Sequence, residues 1–257
     1  MAIQRRLAPR VIRENAFGEV RRVAGVDAGF PAPDVTRAAI AVLSYPDLEL
    51  LDVAVVEQPT RFPYVPGLLS FREAPAILEA FAKLRLKPDL LIVDGQGIAH
   101  QRRLGIASHL GLWLDIPTIG SAKSLLVGRH GPLGDERGAT APILDRGEVV
   151  GAAVRTRPGV KPLYVSIGHR VDLPTAVRLV LSCATRYRLP EPQRQAHNAA
   201  GGRLPLPFGA ALGERSDLTP FGRGRAAPLP HPAPPCGFAP PPPLQHGEGN
   251  EGNGMRV

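Results

Sequence analysis

Pro88-Asp89-Leu90-Leu91-Ile92-Val93-Asp94-Gly95 is a continuous apolar run closed by an aspartate and a glycine. A strand with one wet face alternates apolar and polar residues. An unbroken run of this length reads as a strand buried on both faces of a sheet. A helical stretch follows at about Arg102 to Leu114, and Pro117-Thr118-Ile119-Gly120 reads as another short strand. Strand, helix, strand in that order predicts a right-handed parallel crossover.

Upstream, Val23 to Phe30 reads as a short buried strand. Residues 37–45 and 49–57 are two further apolar runs parted by the turn signal Pro46-Asp47. These three predict an antiparallel meander. A helix is expected from about Ile3 to Val20. Residues 58–71 carry three prolines and a glycine in Pro59, Pro63, Pro66 and Gly67, which forbid regular structure there. Ser70 with Glu73 three residues on has the spacing of a capping box, and a helix should run from about Arg72 to Leu84 with Ile77, Leu78 and Phe81 on one face. Downstream come a hairpin over 142–154 with its turn at Asp145-Arg146-Gly147-Glu148, a strand over 162–167 and a helix over 172–184. The fold class is α/β, a mixed sheet flanked by helices.

The chain has 257 residues, and its composition is uneven. Residues 202–257 hold 12 of the 29 prolines and 10 of the 28 glycines, so 22 of these 56 residues are one or the other. That exceeds the roughly 25–30% that marks low-complexity sequence. Residues 1–201 therefore form the expected domain, and 202–257 a Pro/Gly-rich tail expected to be disordered and unable to bury a core. No apolar run reaches the roughly 18 residues of a membrane span. The basic N-terminus lacks the apolar segment of a secretory signal, and Glu14 and Glu19 interrupt a transit-peptide pattern. Two cysteines, Cys183 and Cys236, exclude a disulfide scaffold or a cysteine-rich zinc site. The expected location is cytoplasmic. The net charge of +8 suits nucleic acid, and arginine, far commoner here than lysine, suits bidentate phosphate contacts. A solvated basic surface would carry the same charge.

Two strand segments contain or end in an acid beside glycine: Val26-Asp27-Ala28-Gly29 and Val93-Asp94-Gly95-Gln96-Gly97. Either aspartate alone could be a turn former at a strand end. A buried carboxylate is costly unless paired or metal-bound. If the two strands are neighbours, their carboxylates converge, and Glu73 lies at the start of a helix between them. Three acids at one sheet edge suit Mg²⁺, which prefers oxygen ligands and retains waters. Such a site hydrolyses phosphodiesters. Lys123 and His169 follow strands at the kind of junction where α/β sites gather. A surface lysine and a structural histidine are the bland alternatives. His100 and His109 are further candidates without a zinc-type spacing.

The stretches VAGVDAGF (23–30), PYVPGLLSFRE (63–73), LLIVDGQGIAHQRRLGIASHLGLWLDIPTIGSAKS (90–124) and YVSIGHRVDL (164–173) resemble the endonuclease V family, deoxyinosine 3′ endonucleases of DNA repair. The resemblance covers about residues 1–200. It implies an RNase H-like fold and a Mg²⁺-dependent nuclease, with Mn²⁺ a substitute. Asp27 and Asp94 resemble the family's metal ligands, with Glu73 the third acid, orienting water or a second ion. Lys123 and His169 resemble its site-lining cation and base. Pro63-Tyr64-Val65-Pro66 resembles the wedge that enters the duplex where the damaged base leaves it. Gly67, Gly95 and Gly97 would let backbone amides approach the extruded base.

The resemblance further implies inosine-containing DNA as partner, cut at the second phosphodiester bond 3′ of the lesion to leave 3′-hydroxyl and 5′-phosphate ends. Single-stranded or RNA substrates, such as inosine in RNA, are an alternative within the family, and a catalytically silent nucleic-acid-binding protein is another. A monomer with no membrane association is expected. Two departures stand out: Ile167 replaces the family's usual proline before Gly168-His169, which would relax a loop holding His169, and the Pro-rich tail has no counterpart.

Overall fold

The computed structural model describes residues 1–203, so the expectation for most of the Pro/Gly-rich tail lies outside the described residues. The meander forms as expected: β1 (Arg22–Ala32), β2 (Val35–Ser44) and β3 (Leu50–Pro59) pair antiparallel in chain order. β4 (Leu90–Val93) lies parallel to β1, and β5 (Thr118–Ala122) parallel to β4. β6 (Thr140–Asp145) and β7 (Glu148–Val154) make the hairpin, and β8 (Leu163–His169) joins it antiparallel to β5. The eight-stranded order is β3-β2-β1-β4-β5-β8-β7-β6, an RNase H-like mixed sheet.

β4 shows why an unbroken apolar run belongs at its centre. Side chains alternate between faces along a strand. Leu90 and Ile92 enter one core with α4 (Leu173–Cys183), while Leu91 and Val93 enter the other with α2 (Leu69–Lys83) and α3 (Ile106–Leu114). All four side chains are 0–1% exposed. Each such burial contributes about 1.5–3 kcal/mol.

Three element boundaries differ from expectation. The N-terminal helix α1 stops at Leu7, followed by a short 3₁₀ turn over Ala8–Arg10. Pro9 explains it, since it has no N–H to donate to the Arg5 carbonyl, although Ala8 before it keeps helical angles. α2 begins at Leu69 with Leu68 as its cap, so Ser70 lies inside the helix and makes no capping bond. α3 begins only at Ile106, because Arg103 takes a left-handed φ of 54° and Gly105 is the cap.

One helix went unpredicted. α5 (Glu191–Ala200) packs across β1 and β2. A Cβ on Gly25 would come within 1.9 Å of the Pro192 carbonyl oxygen, so this glycine is what allows the helix to lie on the strand. Gln193 donates to the Ser121 carbonyl (2.9 Å) and fixes the helix at β5 as well.

Candidate active site

The sheet brings the two aspartates together. Val26 pairs with Val93, and the Asp94 amide donates to the Val26 carbonyl (2.9 Å), which extends the β1–β4 ladder to the carboxylates. α5 then delivers a residue that sequence reasoning missed. His197 Nδ1 bonds Asp27 Oδ2 at 2.6 Å. Asp27, Asp94 and His197 offer ligand atoms that all lie within 4.8 Å of one another. Lys123 pairs directly with Asp94, and its Nζ is 3.4 Å from His197 Nδ1. Lys123 directly follows β5, and an irregular segment rather than a helix comes after it. Arg188 donates to its carbonyl (2.8 Å) and pins the turn.

Glu73 lies on the first turns of α2, 7% exposed. Burial, reinforced by the charges of Asp27 and then Asp94, pushes its carboxyl up to about 8. Asp27 is also raised, by burial first and Asp94 next. The three acids are thus close enough to repel one another, and Lys123 beside Asp94 does not remove that repulsion at Asp27. Two carboxylates with room for water suit Mg²⁺, and the imidazole is a donor that first-row metals such as Mn²⁺ also accept. The donor set fits a divalent cation.

The structure does not bring His169 into this group. Leu91 pairs with Thr118, and Thr118 with His169, so His169 sits level with the start of β4 and two strands away. Its Nδ1 accepts from the Ile12 amide (3.2 Å), and its Nε2 is 3.7 Å from Asp115. Ile167 is a strand residue whose carbonyl accepts from the Ile98 amide (2.8 Å), so residues 167–169 form part of β8 and not a loop that proline would tighten. His109 is likewise elsewhere, accepting from Trp113 Nε1 (3.0 Å) on α3.

Beside the acids is a cleft of about 120 Å³ lined by Tyr64, Val65, Gly67, Ser70, Gln96 and His100, among others. Tyr64 is 69% exposed at its lip. Pro63 and Pro66 are exposed beside it. Gly67, at φ 77°, takes a backbone conformation that side chains disfavour. Its carbonyl is the anchor of the loop, accepting from Gln4 (3.0 Å), His100 Nε2 (3.1 Å) and Arg102 (2.6 Å). His100 Nδ1 accepts from the Arg102 amide (3.1 Å), so the neutral Nε2–H tautomer satisfies both bonds. Burial, then Arg102, pushes His100 down to about 4.

Ser70 Oγ and Gln96 Oε1 are buried without partners, free to meet a polar ligand in the cleft. Gly95 and Gly97 do not line it. The Gly97 amide is committed to Ser166 Oγ (2.8 Å), and a Cβ there would meet the Ile167 carbonyl at 1.9 Å. This glycine lets the loop lie on β8 and presents no free amide.

Acids gathered at the strand ends of such a sheet are placed for phosphodiester chemistry, and the protein takes its class from that arrangement: a nuclease acting on nucleic acids. The sequence description of endonuclease V matches residues 5–198. The endonuclease V of Roseiflexus sp. (strain RS-1) is 60% identical over 205 residues, covering 79% of this chain and 92% of that one. The chain belongs to the endonuclease V family. The crystal structure of the Streptomyces avermitilis endonuclease V superposes with a TM-score of 0.75 at 42% identity, covering 78% of this chain and 90% of that one. That of Ciona intestinalis endonuclease V, solved with a 24mer DNA containing an inosine followed by a ribo-adenosine, gives 0.68 at 29% identity, covering 78% and 94%.

Proposed function

We propose that this chain is a Mg²⁺-dependent endonuclease that recognises deoxyinosine in DNA and initiates its repair. It cuts the second phosphodiester bond 3′ to the lesion, leaving 3′-hydroxyl and 5′-phosphate ends. The observation that carries the reading is the meeting of Asp27, Asp94 and His197 next to a cleft with Tyr64 at its lip. Asp27 and Asp94 would hold Mg²⁺, with Mn²⁺ a substitute. When bound, that ion supplies the charge that polarises the scissile phosphate and acidifies water.

The chain's own residues divide the remaining work. Glu73, buried beside the two aspartates, orients the attacking water. Lys123 Nζ, at the Asp94 carboxylate, faces the charge that builds on the phosphate; as the water oxygen bonds to phosphorus the O3′–P bond breaks, and the proton given up by that water ends on O3′. Tyr64 and its flanking prolines enter the duplex as the wedge. Extruding a base costs a few kcal/mol and is cheapest where pairing is poor, as it is for hypoxanthine. The cleft beneath Tyr64 then receives the base.

The test is nicking of duplexes with and without one deoxyinosine, in Mg²⁺ and in chelator. Mg²⁺-dependent cutting of the inosine duplex alone is expected; equal cutting of the control removes the lesion specificity. A matching RNA with one inosine belongs in the same assay, because the Ciona intestinalis protein was solved with a ribo-adenosine next to the inosine. Preference for that RNA would replace DNA with RNA as the substrate. Tight binding without cutting in either metal would make the chain a silent binding protein. A truncated chain ending at residue 203 is expected to nick as the full chain does, since the site lies within the described residues.

A further inference from the structure

Residues 94–105 form one continuous segment between β4 and α3. Asp94 at its start belongs to the acid cluster, Gln96 and His100 line the lesion cleft, and Gln101, Arg102 and Arg103 line a second cleft beyond it. This second cleft, of about 530 Å³, is closed by Arg5, Ala8, Pro9 and Arg13 from the N-terminal segment and by Arg146 from the β6–β7 turn. Five guanidinium groups face two carboxylates, Asp145 and Glu148, which leaves an excess of three positive charges.

The five arginines are not equivalent. Arg103 is locked to Asp145 (2.8 Å) and Glu148 (2.7 Å), and Arg13 to Glu148 (2.5 Å). These pairs hold the hairpin turn and the N-terminal segment against the 94–105 loop. Arg102 spends its Nε on Gln4 (2.6 Å) and one Nη on the Gly67 carbonyl (2.6 Å), which ties this cleft to the base of the wedge loop. Arg5 makes no ion pair among the described residues, and Arg146 reaches Asp145 only at 3.9 Å, with its side chain 73% exposed. Arg146 also sits at φ 56° in a tight turn followed by Gly147 at φ 79°. Asn or Gly fits that position with less strain. The turn thus presents a guanidinium at a position that its own geometry does not favour.

We infer that this arginine cleft is a phosphate-binding site for the substrate strand on the 5′ side of the extruded nucleotide. The inference rests on the proposed reading of the acid cluster and the lesion cleft. Acids, lesion cleft and arginine cleft follow one another along a single loop. A strand whose 3′ side lies over the acids, with its extruded base in the first cleft, must leave by its 5′ side into the second. Guanidinium forks match phosphate oxygens bidentately, and such contacts fix register without reading sequence.

The test uses the full chain with the double variant Arg5→Ala/Arg146→Asn, the two arginines that hold no other element in place. Binding to an inosine duplex is measured in chelator across a salt series, beside a duplex carrying neutral methylphosphonates at the first two phosphates 5′ of inosine. The double variant is expected to bind the ordinary duplex about tenfold more weakly. Its log–log salt slope should be shallower by about 2, one for each lost contact, while its melting temperature does not fall, because Arg146→Asn relieves the turn. The methylphosphonate duplex should weaken wild-type binding by a similar factor and leave the double variant nearly unaffected. Unchanged affinity and slope in the variant would overturn the inference, as would equal losses of variant and wild type on the modified duplex. Wild-type protein that fails to nick inosine DNA would overturn the proposed activity instead, and the binding series would still report on the cleft.

Discussion

Two histidines of this chain each lie within 4 Å of an aspartate, at different ends of the sheet, and only one of them is near the acids. His197, on the last turns of α5, has a side chain 45% exposed and bonds Asp27. His169, the last residue of β8, has a side chain 3% exposed and accepts from the Ile12 backbone. The strand histidine is committed to holding the N-terminal segment on the sheet. The helix histidine is bonded to a carboxylate and still open to solvent. Proximity to an acid does not distinguish the two; what else each ring is bonded to does.

The comparison can be broken most severely at the acids. Asp94→Asn removes a ligand atom and the charge that Lys123 pairs with, and single-turnover cleavage of an inosine duplex is expected to fall about a thousandfold or more, with the circular dichroism of the folded chain retained. A loss below about tenfold would show that the chemistry lies elsewhere.

Gly25→Ala attacks the helix histidine from behind. The added methyl would meet the Pro192 backbone at 1.9 Å, so α5 has to shift and carry His197 off Asp27. Stability should drop by about 1–3 kcal/mol, and cleavage per folded molecule should fall at least tenfold. A destabilised variant with full activity would mean that the position of α5 is immaterial to the site.

Tyr64→Ala leaves both histidines where they are. Loss of aromatic stacking should weaken binding to inosine DNA by about 1–3 kcal/mol, read as roughly 5- to 150-fold in Kd, without changing stability. Unchanged affinity would remove the wedge role.

The smallest effect on cleavage concerns buried rings and acid, where stability is what changes. Burial lowers both His169 and His100, the latter to about 4. A histidine depressed when folded binds its proton more readily when unfolded. Its stabilisation is therefore full above about pH 6.5 and is lost as pH falls toward about 4. For His100 the loss is on the order of 3 kcal/mol. Urea unfolding between pH 7 and pH 5 should show falling stability with acid, and His100→Gln should flatten that slope. An unchanged slope in the variant would show that His100 does not titrate this way.

Much of this arrangement was readable beforehand. The two-face burial of β4 followed from its unbroken apolar run, and the hairpin from Asp145-Arg146-Gly147-Glu148. Placing strand 23–30 beside strand 89–94 was enough to bring Asp27 and Asp94 together. α5 was not readable in the same way. Its buried residues are Pro192, Gln193 and the small Ala196, Ala199 and Ala200, so it lacks the large apolar stripe that marks a helix. Its docking depends on an absent side chain at Gly25, 167 positions before Pro192. The sequence therefore points to the more visible strand end, where Ser166-Ile167-Gly168-His169 follows an apolar run, and not to α5.

Single-turnover cleavage of an inosine duplex in Mg²⁺ by His197→Ala and His169→Gln, each corrected for its folded fraction, tests the account most directly. The account predicts a loss of about tenfold to a hundredfold in His197→Ala, which removes the partner that orients Asp27, with little change in melting temperature, and a near wild-type rate with lowered stability in His169→Gln. A fully active His197→Ala, or a folded His169→Gln that cannot cut, would contradict it.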